Sequence, residues 1–168
     1  MNHIYIKVLL ISLLGLWACH STQRGAMTSN YSTSRLVSAE CEENYEKGEE
    51  AKFVIKNQSK EKDVLLYHPK EILIEKYTGE KWERVDIMYC PCGASCPPPP
   101  EWGALKPEAT KTIKWDLNEE WCNDKNSERK VPETNKKYAG SGTYRFVLRY
   151  SVDKGRQILT DYTRFKLK

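Results

Sequence analysis

Apolar residues occur in this chain in two arrangements. Between Val8 and Ala18 they form a nearly unbroken run, Val-Leu-Leu-Ile-Ser-Leu-Leu-Gly-Leu-Trp-Ala, with Lys7 before it and Cys19 after it. Beyond residue 33 they alternate with polar residues, the period of two that turns one face of a strand inward and the other to water. Ala51, Phe53 and Ile55 share one face of a strand expected over Glu50 to Asn57, with Lys52, Val54 and Lys56 on the other. Tyr144, Phe146, Leu148 and Tyr150 share the inner face of a longer one from Thr143 to Val152, leaving Arg145, Val147 and Arg149 outside. Shorter candidates are Arg35 to Cys41, Val64 to Tyr67 ahead of Pro69, a hairpin through Tyr77-Thr-Gly-Glu80, Thr110 to Leu117, and Gln157 to Leu167 after the turn Asp153 to Arg156.

Between these candidates lie stretches without a period. Residues 20–33 are small and polar and read as a tether, Glu42 to Gly48 as an acidic turn, residues 90–109 as a long Pro- and Cys-rich loop, and Asn118 to Ser141 as a polar loop with a basic stretch from Lys125 to Lys137. No helical period is sustained after residue 19. Seven or eight short strands joined by polar connections predict an all-β chain, an antiparallel sandwich over residues 34–168.

The run Val8 to Ala18 is too short to span a bilayer permanently and suits the apolar centre of an export signal. Its end, Leu16-Trp17-Ala18-Cys19, resembles the lipobox of bacterial lipoproteins. The resemblance implies a signal over residues 1–18, a fatty-acylated Cys19 such as palmitate would modify, and a tether over 19–33. An ordinary secretory signal cut near Ala18 is the alternative, and it too implies export. Neither an Asp after Cys19 nor an acidic run follows, so the resemblance implies the outer membrane, periplasmic face, with the lipid as membrane attachment.

A second resemblance rests on Tyr45, Gly48, Phe53, Ile55 and Asn57, with Gly79-Glu-Lys-Trp82 and Gly142-Thr-Tyr144-Arg145. These positions resemble bacterial immunoglobulin-like domains, the group related to the Bacillus intracellular proteinase inhibitor. The resemblance implies an immunoglobulin-like sandwich over about residues 35–168; inhibition would follow by analogy only.

Composition removes some functions. With 27 basic against 23 acidic residues the formal net charge is +4, and the two signs are interspersed, which argues against nucleic acid as a partner. Besides Cys19 there are Cys41, Cys90, Cys92, Cys96 and Cys122, an odd set. In an oxidising compartment they read as disulfide candidates, with two of Cys90, Cys92 and Cys96 stapling the long loop and Cys41 and Cys122 as distant partners. Cys90, Cys92 and Cys96 held instead as thiolates would suit a soft metal ion or redox exchange. No nucleophile, base and stabiliser assemble into a catalytic set, so no enzyme and no cofactor is expected. Binding remains: Trp102, after Pro99 and Glu101, and Trp121, beside Cys122, fall in presumed loops, where a large ring suits a protein or envelope partner. An inhibitor or immunity-type lipoprotein is a further alternative.

Overall fold

Alternation of apolar and polar residues becomes alternation of buried and exposed ones in the computed structural model, which describes residues 36–123 and 132–168. The expected signal (1–18), Cys19, the tether (19–33) and residues 125–131 of the basic stretch Lys125 to Lys137 lie outside the described residues. The described residues belong to one compact unit and form twelve strands: β1 (Val37–Glu40), β2 (Asn44–Tyr45), β3 (Ala51–Asn57), β4 (Val64–Tyr67), β5 (Ile74–Tyr77), β6 (Trp82–Arg84), β7 (Trp102–Leu105), β8 (Thr110–Trp115), β9 (Asn118–Asn123), β10 (Glu133–Tyr138), β11 (Gly142–Ser151) and β12 (Leu159–Leu167). The all-β expectation holds, and no helix among the described residues is long and apolar enough to cross a membrane.

Three sheets result. One has the order β1-β3-β8 and is antiparallel throughout. A larger one follows the order β2-β12-β11-β4-β7, with β5 also paired to β11 and β6 to β5. The third is the β9-β10 hairpin. The larger sheet is mixed rather than antiparallel, because β2 runs parallel to the end of β12, placing Tyr45 beside Leu167.

The core lies where β3 and β8 meet β11 and β12. Strand β3 alternates without exception, with Ala51, Phe53, Ile55 and Asn57 buried and the residues between them exposed. Phe53 stacks on Phe146 at 4.5 Å between ring centroids and lies 5.4 Å from Phe165, which in turn stacks on Tyr144 at 5.8 Å. Trp115 closes the cluster against Tyr144 and Phe165, its indole N–H donating to the Asn118 carbonyl at 2.8 Å. Each large aromatic side chain buries roughly 150 to 250 Å², so these few rings carry much of the stabilising burial.

Two polar side chains organise the edges of this core. Asn57 is fully buried. Its amide nitrogen lies 2.8 to 3.0 Å from the carbonyls of Lys62, Leu105 and Lys106, and its oxygen accepts from the Ser59 N–H at 2.9 Å. Tyr144, at the start of β11, sets its hydroxyl 2.7 Å from the Ala139 carbonyl and 2.8 Å from that of Gly140. Burial holds its phenol well above the usual tyrosine range.

Three segments differ from expectation, and together they add four strands. The acidic turn contains β2, the long loop ends in β7, and the polar stretch from Asn118 forms β9 and β10, so the strand count is twelve rather than seven or eight. Most residues of β9 and β10 face water or lie half-buried, so no alternation marks them in the sequence. Their pairing comes from the backbone ladder and from links to the rest of the domain. Strand β7 lies so close to the β4 end that a Cβ on Gly103 would sit 2.7 Å from Pro69 Cγ, so only glycine fits there.

Candidate functional site

The Pro-rich segment between β6 and β7 has few apolar residues and is fixed by covalent bonds. Cys90 is bridged to Cys96, with Cα atoms 6.0 Å apart, and Cys92 to Cys122 on β9, with Cα atoms 5.6 Å apart. The loop is therefore stapled within itself and also to the β9-β10 hairpin. Met88 packs its sulfur 3.7 Å from Cys92 Sγ and 3.8 Å from Cys122 Sγ, covering the second bridge. The hairpin gains a further hold from the Glu120 N–H, which donates to the Asp86 carbonyl at 2.8 Å. At its base Lys136 pairs with Asp116 and, at 3.0 Å, with Glu120.

These links bring some of the expected site residues together. Trp121, 38% exposed, precedes the bridged Cys122 on β9, so the loop is tied to the strand that carries this ring, while the ring itself projects from the opposite face of the strand. Pro99 is half-buried and Glu101 is exposed, its carbonyl accepting from the His68 N–H at 2.7 Å. Trp102 belongs to a different setting. It opens β7 opposite Tyr67 in register, and its ring lies 5.0 Å from that of Tyr67. The Gly155 turn approaches its indole, with an added Cβ reaching 3.4 Å. Trp102 is thus a packed ring on the sheet rather than one presented from a loop.

Cys41 is the free thiol among the described residues. It lines a cavity of about 510 Å³ with Glu40, Glu42, Tyr45 and Glu49. Burial pushes its pKa up, the neighbouring Tyr45 hydroxyl opposes this, and Glu42 adds to the rise, so the thiol is a weak nucleophile at neutral pH. The sulfurs of Cys90, Cys92, Cys96 and Cys122 are paired as disulfides rather than held as thiolates. Among the described residues no three His, Cys, Asp or Glu side chains are grouped as a metal site.

A cluster that the loop-centred reading passed over lies on the outer face of the larger sheet. Arg145 is sandwiched between Trp82, at 4.3 Å, and Tyr162, at 4.1 Å, and Arg149 lies 4.5 Å over Tyr67. The outward positions of Arg145 and Arg149 follow from the alternation of β11. Their ring partners come from β4, β6 and β12, and only the strand register reveals them.

No family model and no curated protein matches the chain. One similar solved structure is a mutant beta-glucosidase from Listeria innocua in complex with laminaribiose, at 14% identity and a TM-score of 0.35. The match covers 79% of this chain but 16% of that one, and at this level it carries no inference about fold or activity.

Proposed function

We propose that this is an exported lipoprotein, anchored by lipid on Cys19 to the periplasmic face of the outer membrane, whose folded part binds a protein or other envelope component without chemistry of its own. The Cys92–Cys122 bridge carries the binding assignment, because it ties the Pro-rich loop to the strand that bears the exposed Trp121. A loop and strand whose backbones are already tied together lose less conformational freedom on binding, and a tryptophan is a common recognition anchor. The export assignment draws its support from Leu16 to Cys19 and from two disulfides, which persist in oxidising compartments.

For the folded part the reading is an immunoglobulin-like sandwich. Its support is the Tyr144 hydroxyl returning to carbonyls four and five residues upstream, the arrangement of a tyrosine corner, together with core residues drawn from two facing sheets. Two measurements test the proposal. Growth with a labelled fatty acid should label the wild type and leave Cys19→Ser unlabelled and unanchored; label retained by that variant removes the lipoprotein assignment. Affinity capture from envelope extracts should recover a component that Trp121→Ala fails to hold, and undiminished capture by that variant removes the Trp121 strand as the binding surface.

A further inference from the structure

The outer face of the larger sheet can be laid out row by row, because residues opposite each other on neighbouring strands share a face. One row runs Arg84, Glu75, Arg145, Arg164 across β6, β5, β11 and β12. Strands lie about 4.8 Å apart, so three guanidinium groups are strung along a line of roughly 14 Å with one carboxylate among them. On one side of this row Trp82 pairs with Tyr77; on the other, Tyr162 lies opposite Val147. Beyond Tyr162 comes Arg149 over Tyr67, which in turn lies against Trp102.

Most of the charge on this face is unanswered. Glu75 gives one oxygen to Nε and Nη2 of Arg145, both at 2.5 Å. Among the described residues, no carboxylate pairs with Arg84, Arg149 or Arg164, and Arg84 and Arg164 are exposed. The rings lying against Arg145 and Arg149 orient their planar guanidinium groups before any ligand arrives, and Arg145 already holds one carboxylate in this setting.

We propose that this face binds an acidic polysaccharide, a polymer of carboxylate-bearing sugars lying across the Arg84–Arg145–Arg164 row with sugar rings against Tyr77, Trp82 and Tyr162. The row extends across four strands, which suits a polymer with a repeating anion. An acidic peptide would seek the main-chain donors and acceptors of a strand edge, whereas on a face those groups already belong to the ladder and only side chains are offered. A lipid surface would call for projecting apolar groups, but the exposed rings in these rows are the tyrosines Tyr77 and Tyr162, and no exposed Leu, Ile or Phe stands among them.

The test uses the full chain with four probes: polygalacturonate, its fully methyl-esterified form, poly-L-glutamate, and phosphatidylglycerol vesicles. Polygalacturonate should bind in a salt-dependent manner, the ester and poly-L-glutamate at least tenfold more weakly. The variant carrying Arg84→Gln and Arg164→Gln should lose at least tenfold in polygalacturonate binding with its thermal unfolding preserved, since both residues are exposed and no carboxylate among the described residues pairs with either. Its vesicle binding should equal that of the wild type. If thermal unfolding shifts, Arg164→Gln alone provides the same comparison, with at least a threefold loss expected. The proposal is overturned by absence of polygalacturonate binding, by equal binding of the ester or of poly-L-glutamate, by unaltered binding in the variants, or by a loss confined to vesicles.

Discussion

At the scale of single residues, Asn57 and Tyr144 have consequences out of proportion to their size. Asn57 serves three carbonyls and one N–H in a dry setting, so removing its amide strands several groups at once. Leaving buried groups unpaired costs about 1 to 3 kcal/mol each, and Asn57→Ala should lower stability by roughly 2 to 4 kcal/mol, read as a shift in the urea midpoint. Tyr144→Phe keeps the ring stack and removes only the hydroxyl; a loss of about 1 to 3 kcal/mol with an unchanged far-ultraviolet circular dichroism spectrum is expected. Cys41 offers a chemical readout. Its raised pKa predicts slow alkylation by iodoacetamide at neutral pH, with a rate that keeps rising with pH beyond the point where a small free thiol has levelled off.

Among the elements, the β9-β10 hairpin has an electrostatic signature. Burial alone would raise the pKa of Asp116, but the Lys136 and Asn118 hydrogen bonds outweigh it and hold the carboxyl below its usual range. Lys136 is correspondingly raised, by its hydrogen bonds to Asp116 and Glu120. A depressed carboxyl contributes stability above its unfolded pKa of about 3.9 and loses it as pH falls through the folded value. A raised lysine contributes below about 10.4 and loses it as pH rises through its folded value. Hairpin protection in amide exchange should therefore be greatest between those limits, and Asp116→Asn should flatten its acid side. That hairpin was also the least legible part of the chain. The alternation of β3 and β11 announced itself because one face of each strand meets the core, as Phe53 and Phe146 show. In β9 and β10 the fixing agents are Cys92–Cys122, the Asp86 carbonyl and Lys136, contacts from afar that leave no period behind. At the candidate site the types of residue were legible from Cys and Trp in a Pro-rich stretch. The pairing of the cysteines and the removal of Trp102 to β7 depended on sheet register.

At the scale of the whole molecule the two bridges differ in reach, closing sequence separations of 6 and 30 residues. Restriction of the unfolded chain by loops of these lengths corresponds to about 2 and 3.5 kcal/mol. Reduction should lower the unfolding temperature and, in amide exchange, release the hairpin before β3, β11 or β12; uniform loosening would show that the bridges act on the core as well. A different consequence follows from the parallel seam between β2 and β12. Through it Asn44 must meet Lys166 and Tyr45 must meet Leu167, and the Thr163 hydroxyl, donating to the Ala39 carbonyl at 2.8 Å, joins partners 124 positions apart in the chain. Such closures come late and slowly, so refolding of the oxidised protein should take milliseconds to seconds rather than microseconds. A nascent chain can complete the sheet only after its final strand has been made, so whatever handles it before then meets it incompletely folded.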